Sequence, residues 1–188
     1  MRRFLPALVL LIVLVAAVGL ASLSERTSAP MNVNGDTVGM EHGESPSDYR
    51  DRVAGSLSGK EPRYALVSFS HPVTPAEFED VVRPARRVGA VVFGNLPPLE
   101  LRDPVAGEGR AHVVDQAKGD VDHALAAEQQ RALPERITAA MVYDDGPTLR
   151  KLASDPRVFA VEALPADAAW GRIGVRPVQT SEPEVAHK

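Results

Sequence analysis

The chain has no cysteine. This excludes disulfides, thiolate nucleophiles and thiolate metal ligands, and it excludes a lipid-modified lipoprotein, so stability must come from packing alone. Aromatic residues make up only 5% and there is a single Trp, so the core has to be built mainly from Val, Leu and Ala, with each buried Val or Leu contributing about 1.5–3 kcal/mol. A surplus of positive charge is also missing. The formal charge is −4, and because Arg2 and Arg3 belong to the leader described below, the rest carries −6. Binding a phosphate backbone needs clustered Lys and Arg. Here the densest basic spot, Arg83, Arg86 and Arg87, sits beside Glu77, Glu79 and Asp80, the pattern of a solvated helix end, so no nucleic-acid partner is expected. The nucleophile elbow, the zinc-protease His-Glu pair and the phosphate- or dinucleotide-binding glycine patterns are absent too.

What the sequence does have begins at its start. After Met1, Arg2 and Arg3, residues 4–23 (FLPALVLLIVLVAAVGLASL) contain no charge. Twenty apolar residues make roughly 30 Å of helix, enough to cross the hydrocarbon core, and the two arginines hold the amino terminus in the cytoplasm. Residues 1–23 are therefore expected to be a single-pass signal-anchor with the remainder outside the cell membrane. Gly19-Leu20-Ala21 also satisfies a signal peptidase, in which case the product is secreted. Arg outnumbers Lys, which together with the heavy use of Ala, Val, Gly and Pro suggests a GC-rich bacterial genome.

Residues 24–62 are polar and rich in Ser, Gly, Asp and Glu, with scattered apolar residues such as Val33, Val38 and Met40. The composition predicts a flexible extracytoplasmic linker, with a helical turn near 48–53. Folded structure is expected over 63–178. Residues 64–70 (YALVSFS) read as a buried strand between Pro62 and Pro72. Thr74 then caps a helix with Pro75 in its first turn and Glu77 completing a capping box, and Phe78, Val81, Val82 and Ala85 recur at helical spacing. A second strand is expected at 87–93, a third at 137–143 and a fourth at 158–164. Asp145 and its neighbour Asp144 precede a helix whose stripe is Leu149, Leu152 and Ala153. The intervening 94–136 reads as an insertion: loop, then a surface helix capped by Asp120 and running to about Leu133. Trp170, Ile173, Val175 and Val178 suggest a short extra strand or an arm lying back over the sheet, and 179–188 a disordered tail.

The order strand, helix, strand, insertion, strand, helix, strand predicts an α+β, ferredoxin-like split β-α-β sandwich. Its four strands would lie in the order 4-1-3-2 with the first and third in the centre. Chemistry-bearing residues are few. Glu41-His42-Gly43-Glu44 offers one His without a second ligand at fixed spacing. His112, Asp115, Asp120 and His123 form a conceivable metal set. Ser68, Ser70, His71 and Asp144 could assemble a serine, histidine and carboxylate group only if strand ends meet in space.

Leu149-Arg-Lys-Leu152-Ala-Ser-Asp155-Pro156-Arg-Val158-Phe-Ala-Val161-Glu162 resembles the close of the inhibitor I9 domain, the subtilisin propeptide family, where a leucine-rich helix ends in Asp-Pro before a strand of the form Val-x-x-Val-Glu. Residues 64–69 and Val73-Thr74-Pro75-Ala76-Glu77 resemble the family's opening strand and helix; the long 94–136 stretch departs from it. The resemblance implies a sheet packed on a protease and a tail laid along its cleft, which would make Glu162, Ala163, Leu164, Pro165 and Trp170 partner-binding residues. The functional expectation is a membrane-anchored, extracytoplasmic, non-enzymatic protein-binding module without cofactor or metal. The alternatives are a free-standing I9-like inhibitor or folding assistant of a subtilisin-like protease, and a metal-dependent sensor or enzyme using His112, His123 and Asp120.

Overall fold

The strand segments of this chain are apolar at both odd and even positions, and that property shapes the architecture. In β2 (Arg63–Val73), Ala65, Val67 and Phe69 are buried on one side and Leu66 and Ser68 on the other; in β5 (Ile137–Asp144) Ala140 and Val142 alternate with Ala139 and Met141, all buried. A sheet made of such strands needs a cover on each face. The computed structural model describes residues 35–180. The apolar run at 4–23, the first part of the expected linker and residues 181–188 lie outside the described residues.

The protein is α+β. Five strands form an antiparallel sheet in the order β4-β3-β5-β2-β6, with β3 at Arg87–Val92, β4 at Leu99–Glu100 and β6 at Val158–Ala163. Leaving out the two-residue β4, this is the expected strand order read from the opposite edge.

The first face is covered by helices. Helix α2 (Pro75–Val82) starts as its sequence predicts: the Thr74 hydroxyl accepts from Glu77 N–H, and the Glu77 carboxylate accepts from Thr74 N–H at 2.8 Å. Phe78, Val81, Val82 and Ala85 are all buried against the sheet. Helix α4 (Gly146–Ala153) is capped by Asp145, which accepts from Thr148 N–H, and buries Leu149 and Leu152, while Ala153 faces solvent.

Helix α3 differs from expectation. It runs over Arg110–Ala127, so Asp120 lies in its middle and caps nothing. Its N-terminal cap is Gly109, which has no side chain to offer. The Glu79 carboxylate of α2 supplies the missing acceptor, taking the N–H groups of Arg110 and Ala111 at 3.0 and 3.2 Å. In return the Arg110 guanidinium donates to the carbonyls of Val82 and Ala85 at the end of α2. The insertion is also more than a surface appendage: Leu101, Val113 and Val114 join the helix-side core.

The second face is covered by residues 35–62 and by the tail after β6, and over 35–62 the linker expectation is corrected. Residues 35–62 carry β1 (Thr37–Val38), α1 (Pro46–Ala54) and a 3-10 turn (Gly55–Ser58). Val38, Met40, Tyr49 and Val53 are buried, and β1 pairs in parallel with β7 (Gly174–Val175) from the tail. A mean composition that looks polar conceals these four apolar contacts, which fall where the sheet needs them. Trp170, Ile173, Val175 and Val178 lie on the same face, as the arm reading expected.

Two predictions follow from these contacts. Thr74→Ala removes a cap made in both directions and is expected to cost about 1 kcal/mol, read as a lower urea midpoint at unchanged m-value. Acid should also weaken the fold. The Arg102 guanidinium holds the Glu108 carboxyl down at about 2 from an ordinary 4.5, so its folded form binds a proton less readily than its unfolded form. The stability it contributes is present above pH 4.5 and lost as pH falls towards 2. Arg102→Gln should flatten that part of a stability-versus-pH curve, and an unchanged curve would contradict the assignment.

Candidate functional site

The seam between the sheet's second face and its N-terminal cover is charged. Glu162, near the end of β6, is buried in the interior. One carboxylate oxygen accepts the N–H of Gly39 at 2.6 Å and the Tyr49 hydroxyl at 3.2 Å, and the other accepts from the Arg52 guanidinium at 2.9 Å. Arg52 also donates to Glu44 at 2.7 and 3.0 Å and to the Gly39 carbonyl, and its guanidinium lies 5.2 Å from the centre of the Tyr49 ring. Glycine is required at 39: φ is +103°, and a Cβ there would stand 2.1 Å from the Arg176 carbonyl oxygen of the tail. The backbone of β1 can therefore reach the carboxylate and β7 together.

The electrostatics follow from this geometry. The hydrogen bonds from Arg52 hold the Glu44 carboxyl below its usual range, and Glu44 in turn raises the arginine. Burial, and then the negative charge of Glu162, push the Tyr49 hydroxyl well above its usual value. The Ser68 hydroxyl of β2 approaches the tyrosine closely enough to counter part of that rise, yet it is buried and makes no hydrogen bond of acceptable geometry. The cluster ties Gly39 and α1 to β6, so it works as a clasp.

The expected site residues are placed unevenly. Glu162 and Leu164 are buried in contacts within the chain, and Ala163 is half-buried with its N–H donated to Ser56. Trp170 is half-buried beside Tyr64, at 5.4 Å between ring centres, and only Pro165 is fully exposed. Ser68 and Asp144 do not meet: Asp144 pairs opposite Arg63, five residues or roughly 17 Å along β2 from Ser68. Its carboxylate instead takes the N–H groups of Arg86 and Asp145. His112 and His123 are both exposed on α3, roughly 16 Å apart along the axis at 1.5 Å per residue, too far to share an ion. Among the described residues no group of three His, Asp or Glu could hold a metal.

Sequence reasoning missed an apolar cleft. The loop after β3 and the C-terminal half of α3 enclose about 310 Å³ lined by Phe93, Leu96, Pro97, Val121, Leu125 and Leu133. Leu96 is 42% exposed there. The signal that could have found it is the weak stripe Val121 and Leu125, too small for a core helix but sufficient for the wall of a groove.

Compared with family models, curated proteins and solved structures, the chain matches none.

Removing the clasp should loosen the N-terminal cover. Glu162→Ala strips Gly39 N–H, Tyr49 and Arg52 of their acceptor and is expected to cost about 3 kcal/mol. That is the low end for a broken buried pair, because Arg52 is partly solvated. Tyr49→Phe leaves the carboxylate two donors and should cost about 1 kcal/mol. Urea unfolding of the two variants checks the order; equal costs would contradict the clasp.

Proposed function

We propose that this chain is a membrane-tethered, extracytoplasmic, non-enzymatic module of ferredoxin-like split β-α-β type that binds another protein through the cleft beside Leu96. The tether rests on the apolar sequence at 4–23. The fold assignment is supported by the antiparallel strand order and by α2 and α4 on one face. The observation that carries the binding reading is the cleft itself. Among the described residues Leu96 and Val105 are the exposed large hydrophobic side chains, and only Leu96 borders an apolar cleft, whose rim is polar through Gln130 and Arg131. An apolar centre within a polar rim is the anatomy of a contact patch, and an apolar segment of a second protein fits it.

The inhibitor alternative asks for something else. A sheet laid on a protease must present its free face, and here β1, α1 and the tail occupy it. That reading would require the cover to leave first.

The cleft reading is tested by cross-linking in membranes, comparing the full chain with a Leu96→Glu, Leu125→Glu variant. Burying one leucine in a contact contributes about 1.5–3 kcal/mol, so the double variant is expected to lose at least tenfold in recovered partner while its thermal unfolding stays near that of the parent. Equal recovery from both chains would end the assignment of the cleft.

A further inference from the structure

The strand registers place one row of side chains straight across the second face. Glu100 of β4 pairs with Ala90 of β3, Ala90 with Met141 of β5, Met141 with Leu66 of β2, and Leu66 with Glu162 of β6. An apolar row thus ends in a carboxylate on each side. The two ends are treated differently. Glu162 is met by the guanidinium of Arg52, which also lies over the Tyr49 ring. Glu100 is exposed to solvent and has no cationic or hydrogen-bonding partner among the described residues. Four strand spacings separate the two carboxylates, roughly 19 Å, so Arg52 cannot serve both.

At the Glu100 end the tail does not close onto the sheet. A pocket of about 180 Å³ remains between Trp170, Ile173 and Val175 of the tail and Ala90 and Met141 of the sheet, with Glu100 also on its wall. Its tryptophan is fixed in place. The indole rests where Gly89 of β3 has no side chain, since a Cβ there would come within 2.7 Å of the ring, and Tyr64 packs beside it. A cavity of about 150 Å³ takes a benzene-sized group, so the space suits a short stem of four or five carbons.

We propose that this pocket binds an organic cation, an ammonium or guanidinium group on a short apolar stem. The stem lies against Met141, Ile173 and Val175, and the charged head meets the Glu100 carboxylate beside the indole of Trp170. Both terms favour a cation over an anion or a neutral group: a carboxylate attracts it directly, and an aromatic ring adds a quadrupole attraction wherever its face is reached. The same fold uses that chemistry at Glu162, where a guanidinium, a carboxylate and a tyrosine ring come together. The site is separate from the reactive groups considered above, and it stands whether or not the Leu96 cleft binds a protein.

The chain has one tryptophan, so its emission reports on this pocket. The test titrates the full chain, in a maltoside detergent that carries no ammonium group, with n-butylammonium chloride at constant ionic strength, using n-butanol as the uncharged control. A saturable change in Trp170 emission is expected for the ammonium, with its midpoint raised at least fivefold by Glu100→Gln, while the weaker response to butanol is the same in both chains. Gly89→Ala, which drives the indole from its seat, should abolish binding measured by calorimetry. Nα-acetyl-lysine amide separates the sources: binding as tight as that of butylammonium points to a basic side chain of a partner, and binding of butylammonium alone points to a free amine. No saturable response, or the same midpoint in parent and Glu100→Gln, overturns the proposal.

Discussion

A sheet that is apolar on both faces must be covered twice, and the second cover is the constraint on which the rest of this structure depends. The helices α2, α3 and α4 satisfy one face by ordinary packing of Phe78, Val81, Val113, Leu149 and Leu152. The other face has no helix from the central part of the chain to receive it. Its cover comes from two sequence-distant segments joined to each other as β1 and β7 and joined to the sheet at Glu162. A carboxylate suits this place because one group can accept from a backbone N–H, a hydroxyl and a guanidinium at once, tying three parts of the cover to one strand.

Most of the first layer was legible in the sequence. The capping box at Thr74 and Glu77, the stripe through Phe78 and Val82, and the Asp145 cap are local signals whose meaning needs no knowledge of the rest of the chain, and the structure keeps all of them. The second layer was not legible in the same way. Residues 35–62 bury only a few side chains, so their average composition resembles a linker, and the contacts that fix them, such as Gly39 with Glu162, span more than a hundred residues. One clue was present: runs such as ALV at 65–67 and AAMV at 139–142 are apolar at every position, which an open-faced sheet does not require. Helix α3 was misplaced for a related reason. Its start is capped by Glu79 from another helix, and no local pattern around Gly109 announces that.

The site was legible only in part. Glu162 and Trp170 stood out through the resemblance as residues for a partner, but that Glu162 bonds Gly39, Tyr49 and Arg52 of its own chain shows only in the structure. The Leu96 cleft and the Glu100 pocket both depend on register and on how a loop or tail falls short of complete closure. Incomplete closure is also what gives these places a capacity that the packed interior lacks. The Glu162 clasp, in which the carboxylate accepts from Gly39, Tyr49 and Arg52, holds the structure together, while the partly open ends of the same face remain available to other molecules.

The segment before β2 and the tail after β6 form one cover fastened to the sheet. Native-state amide hydrogen exchange on the intact chain tests it most directly, followed at Gly39, whose N–H goes to Glu162, and at Gly174 and Arg176, whose N–H groups go to the carbonyls of Asp36 and Val38. These three amides are expected to be protected and to open together, with a common free energy. Free exchange at all three while the amides of β5 stay protected would contradict it.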